Sequence, residues 1–274
     1  MSVINESRSQ EIVNPPSATF LIQLYLITRR MLVTIFRTPA ALLPPMAISI
    51  FFLVIYNSTL GEASGFIPNL GTNSYLGFIL PLSIVSSSLS GAGIAAQNMV
   101  RDIESGYFDK LLLTPISRAA LLMGPILAGA LILGLQAHIV ILFAVVMGLK
   151  SATGIAGLYA TIGMAILLGT GFAGFTISAA LGSGSAAATQ GASFIFFPLT
   201  FLAPTFVPLE LLSGWLKTAA RFNPITYVLE AMRSILNQGW DGVVIGRALL
   251  ACLLLAAAMY ALAVIALRVR TSRK

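Results

Sequence analysis

Long apolar stretches without charged side chains make up most of this 274-residue chain. Asp, Glu, Lys and Arg are absent from five runs, which cover residues 38–61, 63–100, 119–149, 151–209 and 248–267. A helix needs about 20 residues to cross about 30 Å of hydrocarbon, so each run is long enough for a span and one is long enough for two. The pattern therefore predicts an all-α integral membrane protein with six transmembrane helices.

Gly, Ser and Pro clusters and charged residues set the boundaries of these helices. The predicted spans are 40–60, 74–97, 119–148, 154–181, 190–208 and 247–267. "GSGSAAATQG", before the fifth span, predicts a tight turn, although a buried helix rich in small residues has a similar composition. In the fourth span, Ala165, Gly169 and Ala173 recur every four residues and predict a face that another helix approaches closely.

The fifth predicted span, "SFIFFPLTFLAPTFVP", differs from the others because it combines Phe with three Pro residues. Proline kinks would suit a helix that moves or lines a pathway, whereas packing and contact with lipid explain the same residues equally well. Under the first interpretation, the candidate pathway residues are Phe194, Phe197 and Phe201.

The residues before the first span, 18–38, predict an amphipathic helix that lies in the membrane interface. On a helical wheel, one polar arc contains Gln23, Arg30, Thr34 and Arg37. The opposing apolar arc contains Phe20, Leu21, Leu24, Met31, Leu32 and Ile35. Thr38-Pro39 ends this helix. A simple membrane anchor is the alternative.

A charged segment, "RDIESGYFDKLLLTPISR", separates the second and third spans within the cytoplasmic connection 98–118. Apolar residues at helical spacing predict a short amphipathic helix. Gly106 interrupts it, Thr114-Pro115 stops it, and Ser117 is placed to cap the third span. Composition alone favours the alternative, a solvated loop whose charges keep it out of the bilayer.

The extracellular connection 209–246 is too apolar for a free loop and predicts two helices. The second opens at Asn223-Pro224, with Asn as N-cap and Pro at the first helical position. Glu230 and Arg233 are three residues apart and are predicted to pair. Such a helix pair would dip into the outer leaflet as a re-entrant element and pack against the bundle.

Composition and charge support this topology. Only 9% of the residues are charged, against about a quarter in soluble domains. The predicted inner side carries eleven Lys and Arg residues and the outer side five, so both termini should be cytoplasmic. Residues 1–19 are polar and predict no cleaved signal peptide. The net charge of +7 reflects topology and attraction to anionic membrane lipid, not a nucleic-acid partner.

Several chemistries find no support in the sequence. The spans carry no Asp, Glu, Lys or Arg, and His138 is the one mid-span group that a gradient-driven carrier or channel could use. There is no H-E-x-x-H motif and a single cysteine, Cys252, so no metal site is predicted. No G-x-x-x-x-G-K-[ST] occurs. We therefore expect neither enzyme activity nor a cofactor bound by this chain.

Over nearly its whole length, the chain resembles the type 2 ABC exporter permeases, the membrane subunits of drug-resistance and polysaccharide export systems. The inner segment matches the family pattern at Glu104, Gly106, Leu111, Leu112, Thr114, Pro115, Ser117 and Arg118. The outer segment "FNPITYVLEAMR" matches it at Asn223, Pro224, Tyr227 and Arg233.

The resemblance implies one permease domain over residues 1–274 and a homodimer that works with a separate ABC ATPase, which binds ATP and Mg²⁺. The implied ATPase-coupling residues are Arg101, Glu104, Gly106, Tyr107, Phe108, Asp109, Lys110, Leu111, Thr114, Pro115 and Arg118. The interfacial helix would contribute Gln23, Arg30 and Arg37. The implied extracellular gate comprises Asn223, Pro224, Tyr227, Glu230 and Arg233.

The same resemblance implies a multi-pass exporter in the plasma (inner) membrane of a prokaryote. The uncharged spans favour an amphipathic or hydrophobic substrate, such as a drug or a lipid-like molecule. A polysaccharide or lipid-linked glycan is the alternative cargo within the family.

Overall fold

A computed structural model describes residues 19–61, 75–206 and 208–272. Every regular element in these ranges is helical, and they contain no strand, which confirms the all-α prediction. The helices are α1 Phe20–Phe36, α2 Leu43–Leu60, α3 Tyr75–Glu104, α4 Tyr107–Leu112, α5 Arg118–Val146, α6 Gly154–Ser183, α7 Ala186–Ser193, α8 Phe196–Phe201, α9 Gly214–Phe222, α10 Pro224–Arg233 and α11 Gly242–Ser272. Both predicted cytoplasmic termini lie outside the described residues.

Four helices in the described ranges are long and apolar enough to cross a membrane, namely α3, α5, α6 and α11. The first predicted span corresponds to α2, which has 18 residues and is therefore about 27 Å long. The second predicted span begins at residue 74, which lies outside the described residues. Its helix α3 continues past residue 97 to Glu104, so residues 98–104, which we assigned to the connection, extend this helix.

The fifth predicted span, 190–208, is not one continuous helix. It contains the end of α7 and the six-residue α8, with a turn at Phe194 and Ile195 between them. Pro198 lies in the first turn of α8, where a missing N–H is tolerated. Pro204 disfavours the helical conformation of Ala203, and α8 ends at Phe201. Residue 207 lies outside the described residues.

Helix α1 packs along α5, and its predicted apolar arc is only partly buried within the protein. Met31 and Ile35 are buried, whereas Leu21 is 69% exposed. Close approach explains the orientation, because a Cβ on Gly124 of α5 would lie 2.4 Å from Cγ2 of Ile27.

The centre of the bundle is formed by α6, which packs against α3, α5 and α11. The predicted small residues Ala165, Gly169 and Ala173 are all buried. Neighbouring Gly174 approaches the main chain of α11 closely, since a Cβ there would lie 3.0 Å from the main-chain carbon of Met259. Main-chain atoms of a packed helix cannot move away as a flexible side chain can.

We expect Gly174→Val to destabilise the protein because the added methyl groups would overlap the main chain of α11. Overpacking of this kind costs about 1–3 kcal/mol. The measurement is the thermal midpoint of the detergent-solubilised protein, followed by size-exclusion chromatography. Gly163→Val is the matched control, since it makes the same change in α6 where no atom lies within 4 Å of the added Cβ. Equal midpoints for the two variants would contradict this α6–α11 packing.

Candidate functional site

The segment 101–118, which comprises the last turn of α3, the short helix α4 and the first residue of α5, forms a compact turn, and we call it the α4 turn. Gly106 has a φ of 69°, a left-handed conformation that glycine adopts without strain, and it separates α3 from α4. At the other end, the hydroxyl of Ser117 accepts a hydrogen bond of 3.1 Å from the backbone N–H of Ala120. The interruption at Gly106 and the cap at Ser117 are where the sequence predicted them.

Helix α1 is bonded to this turn through Gln23, which is buried. Its side-chain oxygen accepts a hydrogen bond of 2.9 Å from the Ser117 N–H, and its amide nitrogen donates one of 3.3 Å to the Pro115 carbonyl. The helical wheel placed Gln23 on the polar face of α1. In the structure these hydrogen bonds join its side chain to main-chain groups of the α4 turn. The start of α1 is therefore fixed to the start of α5.

A second link between α1 and the turn is made by Arg30. Its guanidinium forms a two-bond ion pair with Asp102, with 2.9 Å between Nη1 and Oδ1, and lies 4.5 Å from the ring centroid of Tyr107. The hydrogen bond to Asp102 raises the pKa of Arg30 above its ordinary value. This is the single ion pair between side chains in the part of the chain that the structure describes.

On the inner side of the turn, Phe108 is 1% exposed and packs among residues of α3, α5, α6 and α11. The guanidinium of Arg270, near the end of α11, lies 5.9 Å from its ring centroid and donates a hydrogen bond of 3.0 Å to the Leu181 carbonyl of α6. Two arginines from different helices therefore hold the two aromatic residues of α4.

The outer surface of the α4 turn is exposed and mixed in character. The predicted coupling residues with exposed side chains are Arg101, Glu104, Tyr107, Lys110, Thr114, Pro115 and Arg118, and those of intermediate exposure are Gly106, Asp109 and Leu111. Leu113, which the sequence analysis did not single out, is 88% exposed. Arg37 is also exposed. It lies seven residues after Arg30, which places it about 10 Å further along the helix axis than Arg30.

At the opposite end of the bundle, α9 and α10 form the predicted helix pair. The side-chain oxygen of Asn223 accepts a hydrogen bond of 3.0 Å from the Ile225 N–H, so Asn223 caps α10 ahead of Pro224. Its amide nitrogen donates a hydrogen bond of 2.6 Å to the Leu199 carbonyl of α8. The hydroxyl of Tyr227 donates one of 2.6 Å to the Arg221 carbonyl of α9.

The predicted pair between Glu230 and Arg233 does not form in the structure. Instead, the guanidinium of Arg233 donates to three carbonyl oxygens, at 3.0 Å to Phe78, 2.6 Å to Pro204 and 2.8 Å to Thr205. It also lies 3.6 Å from the ring centroid of Phe78. Burial lowers the pKa of Arg233 to about 9, so the side chain stays protonated at neutral pH. Burial, followed by the charge of Glu210, raises the pKa of Glu230.

A groove of about 840 Å³ runs between the two ends, along α3 and between α2 and the broken segment α7–α8. The three predicted pathway residues, Phe194, Phe197 and Phe201, all line it. The sequence analysis missed the contribution of α2, from Phe52 and Tyr56, because nothing local relates that helix to α8.

Arg101 and His138 lie in different positions relative to the groove. Arg101, which the sequence predicted as a coupling residue, is exposed at the α4 turn and also lines the groove. His138 lies outside the groove lining, where its Nδ1 is 2.6 Å from the Gly134 carbonyl oxygen of its own helix and its ring packs on Tyr159. Within the described residues, no three His, Cys, Asp or Glu side chains come together as a metal site.

Comparison with known proteins relates this arrangement to transport proteins. The sequence profile of the family described as "ABC-2 type transporter" matches residues 22–237. The chain is 25% identical over 240 residues to ycf38 of Cyanophora paradoxa, named as a transport permease, covering 87% of this chain and 81% of that protein.

Two further relatives are named for drug resistance. Mycobacterium tuberculosis DrrC, named as a doxorubicin resistance ABC transporter permease, is 24% identical, covering 80% of this chain and 79% of the relative. Streptomyces coeruleorubidus DrrB1, named as a daunorubicin resistance ABC transporter permease, is 25% identical, covering 74% and 72%.

We expect Arg233→Lys to destabilise the protein, because an ammonium group cannot reproduce the three separated bonds of the guanidinium. Each buried carbonyl left without a donor costs about 1–3 kcal/mol. The thermal midpoint in detergent is the measurement, and Arg221→Lys in neighbouring α9 is the control because Arg221 is exposed. If both variants had the same thermal midpoint as the wild type, the three bonds of Arg233 would not hold this end of the bundle together.

Proposed function

The chain belongs to the ABC-2 type transporter family, and we propose that it forms the membrane path of an ATP-driven exporter. One observation carries the proposal. The groove follows α3 from Leu82 to Arg101, which is about 28 Å of helix and close to the thickness of the hydrocarbon layer. One end of this groove is adjacent to the α4 turn, so a movement of that turn acts directly on the wall of the path.

ATP hydrolysis is assigned to a separate ABC ATPase subunit, with which ABC-2 permeases work. The α4 turn is the docking surface for that subunit, because it combines a rigid internal attachment with exposed charged and apolar groups. Glu104 and Lys110 supply charge, and Leu113 supplies an apolar contact. ATP and Mg²⁺ bind to the partner, and the chain itself is not an ATPase.

Helix α1 takes part in the same docking unit. Gln23 and Arg30 fix it to both ends of the α4 turn, so the two elements move as one body. Binding of ATP would close the ATPase subunits together, and this body would pass the displacement to α3 and α5. The α9–α10 pair, attached to the other end of α3 through Arg233, forms the outer gate.

A second copy of the chain completes the path. The groove is bounded by α2, α3 and α7–α8, and large side chains on α2 and α8 face away from the bundle: Phe51 is 57% exposed and Phe197 is 61% exposed. In the proposed homodimer, these surfaces meet across the groove. Both termini lie in the cytoplasm, and the assembly resides in the plasma (inner) membrane.

The cargo is an amphipathic or hydrophobic small molecule. Aromatic and aliphatic side chains line most of the groove, and the relatives named for doxorubicin and daunorubicin resistance support a drug or lipid-like cargo. A gradient-driven mechanism through His138 receives no support from its position outside the groove lining.

We expect charge reversal on the α4 turn to uncouple transport from ATP hydrolysis. Glu104→Lys combined with Asp109→Lys should reduce ATP-dependent efflux of the neutral dye Nile red about tenfold, equivalent to about 1.4 kcal/mol of lost docking energy. Efflux is measured in cells that carry both subunits, with the membrane level of the chain checked by immunoblot.

The matched control for this experiment is Glu210→Lys, which reverses an exposed charge at the other end of the bundle and should leave efflux unchanged. Full efflux by the double variant at a normal membrane level would refute the docking assignment.

A further inference from the structure

The two ends of the groove differ in chemistry. The end adjacent to the α4 turn is lined by polar side chains, with Gln97, Asn98 and Arg101 from α3 and Gln190 and Ser193 from α7. Gln97 donates a hydrogen bond of 3.3 Å to the Gln190 side chain, which shows that α3 and α7 meet at this level.

The other part of the groove is apolar and combines aliphatic with aromatic side chains. Seven rings line it, belonging to Phe52, Tyr56, Phe194, Phe196, Phe197, Phe201 and Phe206. Several of them pack on one another, with centroid distances of 4.8 Å between Phe197 and Phe201 and 5.1 Å between Tyr56 and Phe206. Offset and tilted rings favour a flat aromatic guest over a flexible acyl chain.

Charge in the groove is of one sign. Among the described lining residues, Arg101 carries the one formal charge, and none is Asp or Glu. The adjacent carboxylate, Asp102, is paired with Arg30 and is thereby prevented from neutralising Arg101. Arg101 is exposed at the polar end of the groove, where an unpaired cation attracts an anion and repels an ammonium group.

We propose that the groove binds a flat, apolar amphiphile that carries an anionic group, a carboxylate or phosphate, and that Arg101 binds this group. The apolar body lies on the aromatic rings, and hydrogen-bonding substituents meet Gln97, Asn98 and Gln190. The proposal rests on the proposed function, since it names the class of molecule that the exporter carries. A membrane lipid is the other source of an anionic group, and the aromatic lining favours the cargo.

Three pyrene derivatives with one ring system and different head groups test this proposal: pyrenebutyrate, pyrenebutanol and pyrenebutyltrimethylammonium. Their binding to the full chain is measured in phosphatidylcholine nanodiscs, with empty discs to subtract partition into lipid. Pyrenebutyrate should bind at least about tenfold more tightly than pyrenebutanol, equivalent to about 1.4 kcal/mol, and the ammonium derivative should bind most weakly.

Variants assign the preference to its residues. Arg101→Gln should abolish the preference for the anion, whereas Arg101→Lys keeps the positive charge and should retain most of it. Both variants are compared as monodisperse protein. Arg29→Gln is the matched control, because Arg29 is exposed on α1 and outside the groove lining. Phe197→Ala combined with Phe201→Ala should weaken all three probes together.

Each contrary result has a separate meaning. Equal affinities, or tightest binding of the ammonium derivative, would overturn the anionic class and leave the exporter assignment standing. Saturable binding of no probe would overturn the groove as a path and with it that part of the proposed function. Displacement of pyrenebutyrate by phosphatidylglycerol in the discs, dependent on Arg101, would show that a bilayer lipid occupies the groove, which also overturns the cargo proposal.

Discussion

The architecture depends on the bonds that satisfy main-chain carbonyls where the predicted fifth span is broken into α7 and α8. Irregular backbone is tolerated at membrane depth only where protein or water supplies the missing hydrogen bonds. Two residues of the α9–α10 region supply them, because Asn223 donates to the Leu199 carbonyl and Arg233 donates to those of Pro204 and Thr205. The broken segment can therefore place its aromatic side chains along the groove.

Helix α3 connects this end of the bundle to the α4 turn. Near its start, the Phe78 carbonyl accepts a bond from Arg233, and near its end Asp102 pairs with Arg30. The same helix supplies groove residues from Leu82 to Arg101. In the proposed mechanism, a displacement of the α4 turn would reach both the groove and the α10 end through one continuous helix.

Local sequence signals predicted the parts of the structure that depend on local physics. Apolar runs identified the membrane helices, and capping chemistry placed Ser117 and Asn223 correctly. Long-range contacts gave no such signal, since Arg233 bonds to a carbonyl 155 residues away in place of nearby Glu230. For the same reason periodicity did not show which side of α1 packs on α5, where Gly124 allows the close approach of Ile27. The prolines of the fifth span predicted that this helix is kinked. Nothing in the sequence predicted that α10 supports the broken segment.

The most direct test of the central claim, that this chain works as the membrane subunit of an ATP-driven exporter, is copurification from native membranes. The tagged chain is extracted in several mild detergents, and its partners are identified and quantified by mass spectrometry. The account predicts an ATPase with a Walker motif in about equal amount to the chain. Recovery of the chain without any such ATPase, in every detergent that keeps it monodisperse, would contradict the account.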